Sequence, residues 1–291
     1  MKTINSFSVI TQRLFFAVAV IGAAFAVSCT TTDLEPEPLT IDDANVAADL
    51  LAAADFEEVD DITANMMGVA ESGLGGRVDG NGHDDRCKCA EVTHDKEAQI
   101  ITIDFGEGCE DDNGIVRSGK IIINYDGKRF LPGSSWVTTF EDFYVNDRHI
   151  EGIKTVTNIS EDLFAEPTFH IVLEEGKVTW PDETFATREA DKVRVWKRAD
   201  NPLLDEVHIL AESITAGINR EEVKYSCVVI EDLVFLRTCR GKQKGRIPVA
   251  GVKEVTLGEN VYTVDFGDGE CDTIVTITTG DESETVDLSD R

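Results

Sequence analysis

From Cys87 to its C-terminus the chain alternates apolar and polar residues with a period of two, and that pattern most restricts its fold. Runs such as "AQIITIDF", "GKIIINYDG", "SWVTTFEDFYV", "TFHIVLEEGKVTW" and "NVYTVDF" are rich in β-branched and aromatic residues, with Asp-Gly, Pro-Gly and Asn-Asp between them. About a dozen strands with short links are predicted, too close together for helical crossovers, which excludes a parallel α/β fold. In "KVRVWKR", Val193 and Val195 share one face while Arg194, Trp196 and Arg198 share the other. One apolar face per strand implies a mainly β fold, either an antiparallel meander or a sandwich.

Residues 40–76 differ. Apolar residues at Val46, Leu50, Leu51, Val59, Ile62, Met66 and Val69 recur in steps of three and four among alanines and acids. That is the stripe of an amphipathic helix, expected to pack on the protein's own sheet. The loop "RADNPLLDE" at 198–206 suggests a midpoint, dividing the β region into halves at 77–200 and 201–291 that form one continuous domain.

The N-terminus reads as an address. Lys2 and Arg13 precede the uncharged run "LFFAVAVIGAAFAVSC", whose apolar core is shorter than the roughly 20 residues of a bilayer span. A charged start, an apolar middle and small residues before Cys29 match a lipoprotein signal over 1–28, with Cys29 acylated. Residues 29–39, "CTTTDLEPEPL", form an acidic tether. Acids soon after the acylated Cys resemble the export signal of Bacteroidota surface lipoproteins. The expected location is the outer membrane, at the cell surface, with the periplasmic face as the alternative.

The formal charge of −29 arises from 56 acids against 27 bases. Removing 1–28 takes Lys2 and Arg13 and no acid, so the mature chain is more acidic still. Such a surface repels nucleic acid phosphates and anionic membrane surfaces. Of seven Cys, Cys29 leaves six, Cys87, Cys89, Cys109, Cys227, Cys239 and Cys271, which read as disulfides in an oxidising compartment. Sequence alone allows 15 connectivities.

One motif occurs twice: "QIITIDFGEGCED" at 99–111 and "NVYTVDFGDGECD" at 260–272. Each follows a Cys and one or two strands, and each precedes another strand. No Gly-rich phosphate loop or His-Arg-Asp accompanies either, which excludes a kinase reading. Asp265, Asp268 and Asp272, like Asp104, Glu107, Glu110, Asp111 and Asp112, offer calcium oxygen ligands, but their spacing departs from the helix–loop–helix template. The favoured reading is a disulfide-stapled turn in which Gly106, Gly108, Gly267 and Gly269 supply positive φ and the acids face water.

These segments, with "TTFEDFYVNDRHIEGIKTVTN", "NREEVKYSC" and "VAGVKEVTLGENVYTVDFGDGECD", resemble a group of Bacteroidota lipoproteins of uncharacterised function over about residues 45–290. The resemblance implies no activity. It implies the pairs Cys89–Cys109 and Cys239–Cys271, with Cys87 and Cys227 left as a third pair.

Other signals are weak. "DGNGHDDRCKC" at 79–89 reads as an acidic loop, since its sixth position is Asp84 where calcium loops need Gly. His83, His94, His149, His170 and His208 are scattered without a His-Glu-x-x-His. Trp136, Trp180 and Trp196 suit core packing better than a sugar platform. No catalytic residue and no cofactor is nominated. The reading is a lipid-anchored envelope protein with a non-catalytic binding or structural role, its partners being the membrane and an envelope protein or glycan. Its alternatives are a glycan-binding or carbohydrate-active surface protein and a carrier of an apolar ligand.

Overall fold

The computed structural model describes residues 56, 59–60, 62–68, 78–79, 85–112, 114–201, 204–239 and 247–288. Among the described residues the alternating runs become sixteen strands. They are β1 (Val78–Asp79), β2 (Glu91–Asp95), β3 (Ile100–Asp104), β4 (Cys109–Glu110), β5 (Val116–Asp126), β6 (Ser135–Val145), β7 (Arg148–Asn158) and β8 (Thr168–Thr179), followed by β9 (Phe185–Lys197), β10 (Glu206–Ile209), β11 (Ile214–Ile218), β12 (Lys224–Leu236), β13 (Ala250–Leu257), β14 (Asn260–Asp268), β15 (Ile274–Thr279) and β16 (Glu282–Asp287). They form one antiparallel sheet in chain order, the meander of the two expected forms.

The midpoint loop does not divide this sheet. β10 and β11 act as one interrupted strand, each pairing with β9 on one side and β12 on the other. What changes there is the core. A first cluster draws on residues from Phe56 to Ala190, and a second on residues from Ile209 to Leu288. The described residues belong to one compact unit.

Burial follows the two-residue period. Ile101 and Ile103 of β3 and Ile121 and Ile123 of β5 are fully buried on one face, as are Val264 and Phe266 of β14 and Val275 and Ile277 of β15. Each such side chain contributes about 1.5–3 kcal/mol when withdrawn from water. Residues 56, 59–60 and 62–68 are helical, and Phe56, Val59, Ile62, Met66 and Met67 belong to the first cluster. The rest of the expected 40–76 helix lies outside the described residues. Asp60 is also buried there, ion-paired with buried Lys154 and with Arg194 at 2.6 Å, while Lys154 Nζ donates to the Phe56 carbonyl at 3.1 Å. Among the described residues no helix is long and apolar enough to cross a membrane.

A line of irregularities crosses the long strands. Register shifts fall between Ser118 and Lys120, Thr138 and Tyr144, Glu151 and Ile153, and Leu173 and Gly176. At Gly119 (φ +77°) a Cβ would lie 1.9 Å from the Asp142 carbonyl oxygen, so only glycine fits this close approach. Successive bulges bend and twist a sheet, and here they fall next to one another on β5, β6, β7 and β8.

Candidate functional site

The repeated motif forms the same corner twice. Asp104 Oδ1 accepts from Gly106 N at 2.9 Å, and Asp265 Oδ1 accepts from Gly267 N at 2.8 Å. Gly106 (φ +62°) and Gly267 (φ +85°) take the left-handed conformation after Phe105 and Phe266, both buried. Gly269 shares it, whereas Gly108 does not. At the first motif the strand breaks before β4 resumes along β5, and at the second β14 runs on to Asp268 through a bulge against β13. Disulfides join Cys89 to Cys109 and Cys239 to Cys271, with Cα–Cα distances of 5.6 and 5.3 Å. The third expected pair does not form. Cys87 and Cys227 make no disulfide, because each is buried in a different cluster, Cys87 in the first and Cys227 in the second.

The acids of these corners do structural work. Asp111, expected to face water, is buried and pairs with the buried Arg117 guanidinium at 2.9 Å, while its Oδ1 accepts from Ile115 N. Asp104 is held below the usual carboxylate range by the Gly106 N–H and then by Lys120, 3.0 Å away. Asp272 Oδ1 accepts from Ile274 N at 3.1 Å. Among the described residues no three His, Cys, Asp or Glu side chains converge to hold a metal, and Asp265, Asp268 and Asp272 form no such group. Residues 80–84 of the acidic loop, His83 included, lie outside the described residues.

The four described histidines are partnered separately. His94 Nε2 meets Tyr125 Oη at 2.7 Å, His170 Nε2 meets Asp191 at 2.7 Å, His208 Nε2 meets Glu206 at 2.8 Å and His149 Nδ1 lies 3.7 Å from Glu151. Burial lowers the His94 pKa and raises that of Tyr125. Trp136 is buried, Trp196 Nε1 donates to Asp205, and Trp180 packs against the first cluster under the Arg220 guanidinium at 4.4 Å. These placements bring no two tryptophans into one sugar-stacking face.

The bulge line opens a groove with converging polar groups. β6 and β7 pair at Thr138↔Lys154 and again at Tyr144↔His149, and the register is interrupted between them. A 680 Å³ groove lies over this interruption, lined by Thr139, Glu141, Asp142, His149, Glu151 and Ile153, with Glu175 and Lys177 from β8. Lys177 Nζ and His149 Nδ1 approach the same Glu151 oxygen at 3.6 and 3.7 Å, and Tyr144 stacks on His149 at 4.6 Å. The lining offers one hydroxyl, Thr139, and no thiol. Its four carboxylates suit holding a cationic or hydrogen-bonding group. Sequence reasoning missed this groove. Its traces were the charged doublets Glu141-Asp142 and Glu174-Glu175, which break the alternation inside two strands.

No family model, curated protein or solved structure matches this chain.

Proposed function

We propose that the chain is a lipid-anchored cell-envelope protein of the outer membrane with a non-catalytic binding role, displayed at the cell surface. The anchor reading rests on the signal-like run ending at Cys29 and on the acidic tether that follows. Two disulfides in one β unit fit an oxidising compartment. The observation that carries the binding role is the groove over the β6–β7 interruption, where four carboxylates, one Lys and one His converge. In this reading the helical segment serves as the sheet's own packing layer and not as a partner-binding face. Glycan binding finds less support, since no tryptophan lines the groove.

The test uses the full-length lipoprotein in cells, with a photocrosslinking residue at Ile153 in the groove or at Ile274 on β15. Adducts with an envelope component from Ile153 and not from Ile274 support the reading. Equal adduct patterns from both positions would overturn the groove's role. Turnover of an envelope substrate that is lost in His149→Gln and Glu151→Gln would replace binding by catalysis. Incorporation of a fatty-acid analogue that disappears in Cys29→Ala tests the anchor.

A further inference from the structure

A row of aromatic residues crosses four strands beside the groove. Tyr144 of β6 lies opposite His149 of β7, His149 opposite Thr179 of β8, and Thr179 opposite Phe185 of β9. Directly opposed residues share a face. It is the face away from the core, because the neighbouring Phe143, Ile150, Val178 and Ala186 are buried. Tyr144 is 38% exposed and Phe185 42%, three inter-strand steps or about 14 Å apart. Glu151 and Lys177 form the next opposed pair on β7 and β8, on the same face, and both line the groove.

This face already holds a cation of its own. Lys177 Nζ lies 5.2 Å from the Phe185 ring centre and 3.6 Å from Glu151 Oε2, an ammonium shared by a ring and a carboxylate. The other acids of the groove are not matched in this way. Glu141 lies opposite Lys120, whose ammonium is held by Asp104 at 3.0 Å. Asp142 and Glu175 have no cation partner among the described residues. They are also the only non-glycine residues inside described strands with positive φ, at +44° and +54°. Bulges re-aim side chains, and both of these line the groove. Glu189 adds another carboxylate beside them, its Oε1 accepting from Glu175 N at 3.0 Å.

We infer that this face binds an extended, Lys- or Arg-bearing segment of an envelope protein. Its cations meet Glu141, Asp142 and Glu175, and its apolar side chains meet the Tyr144 and Phe185 rings. The inference rests on the binding role proposed above and names its partner. Charge complementarity carries the choice. Four carboxylates stand against Lys177 and His149, so the groove is net negative. That field repels phosphates and acidic polysaccharides. A second copy of this chain, at a formal charge of −29, is repelled as well. A neutral glycan would use the rings and leave the unmatched carboxylates without a partner. A basic segment satisfies both, because ammonium and guanidinium groups pair with carboxylates and stack on rings. The aromatic row is about as long as four extended residues, and Tyr and Phe are enriched at the centres of protein interfaces.

The test uses the full chain carrying Cys29→Ala, so that no acyl group contributes, with both disulfides verified. The probe is a fluorescein-labelled octapeptide alternating Lys or Arg with Val or Thr, compared with the same peptide carrying Glu at each basic position. Fluorescence anisotropy should show binding of the basic probe alone. Glu141→Gln, Asp142→Asn and Glu175→Gln together should weaken it about tenfold or more, as should Tyr144→Thr with Phe185→Thr. Asp281→Asn, Glu282→Gln and Glu284→Gln, the same change of charge at the exposed β15–β16 turn and edge, should leave it unchanged. Absence of binding, equal weakening by the two acid triples, or indifference to the ring substitutions overturns the inference. Mass analysis of the Ile153 photo-adducts separates this inference from the binding role beneath it. A Lys- or Arg-bearing protein segment in the adduct supports both. A glycan or lipid adduct overturns the basic partner and leaves the binding role standing, and no adduct specific to Ile153 overturns both.

Discussion

The two Asp-Phe-Gly corners share a backbone and differ in what surrounds it. In both, an Asp oxygen caps a glycine N–H and a Phe is buried. A Cys pair then ties the segment after the motif to a point two strands earlier in the chain, Cys89 just ahead of β2 and Cys239 just after β12. β3 and β14 lie an odd number of reversals apart in the sheet, so the corners that follow them face opposite ends. The first is reinforced from within. Arg117, opposite Cys109 in the β4–β5 pair, meets Asp111 in a site where both side chains are almost wholly buried. The second closes on the exposed Asp272, which caps Ile274 N. The repeated residues therefore set the turn, and the neighbours set how much stability depends on it.

The largest expected effect breaks this comparison at its point of difference. Asp111→Ala leaves a buried guanidinium without its carboxylate and should cost about 3–5 kcal/mol, whereas Asp272→Ala should cost about 0.5–1.5 kcal/mol. Urea unfolding measures both, and equal costs would show that the corners are energetically alike. Replacing the first pair together, with Asp111→Leu and Arg117→Met, should recover most of the loss, because two buried charges are costly even when matched.

The staples should affect the two corners alike. The bridges close loops of 20 and 32 residues, for which the chain-entropy relation gives about 3.3 and 3.7 kcal/mol. The variants Cys89→Ala with Cys109→Ala and Cys239→Ala with Cys271→Ala should therefore fall within about 1 kcal/mol of each other. A much larger loss at the first would mean that packing around Cys109 outweighs loop length. Alkylation in denaturant without reductant should label Cys87 and Cys227, and intact mass would reveal their protection if they were bridged.

Smaller again is the turn itself. Gly106 and Gly267 have open space where a Cβ would go, so alanine meets only the strain of positive φ. Each substitution should cost about 1–2 kcal/mol, and unequal losses in thermal unfolding would indicate that one corner relaxes.

What sequence made legible follows from locality. Alternation depends on neighbours two residues apart, so the burial of Ile101, Ile103, Ile121 and Ile123 could be read directly. The loop at 198–206 was also visible, but its meaning was not. It marks a change of core within an unbroken sheet, because β10 and β11 bridge β9 and β12. The two disulfides came from resemblance, and the third pairing failed because nothing local tells that Cys87 and Cys227 enter different clusters. Asp111 looked like one more solvated acid until Arg117 was placed opposite Cys109. The groove depends on the register between β6 and β7, a property of two strands that neither segment carries alone.

The smallest effect turns one corner into the other. Opposite Asp104 on the neighbouring strand is Lys120, and opposite Asp265 is Thr276. Lys120 helps hold the Asp104 pKa down, so that carboxylate stabilises the fold above its unfolded value of about 3.9. The contribution is lost as pH falls through the lower folded value. Both partners are partly exposed, which keeps the ion pair weak and makes it sensitive to salt. Lys120→Met should lower stability slightly at pH 7, with the difference from the parent shrinking toward pH 2 and in high salt. Thr276→Lys should give the second corner the same increment with the same acid dependence. A gain that persists at pH 2 would have to come from packing of the lysine stem, and the two Asp-capped turns would then not share their electrostatics.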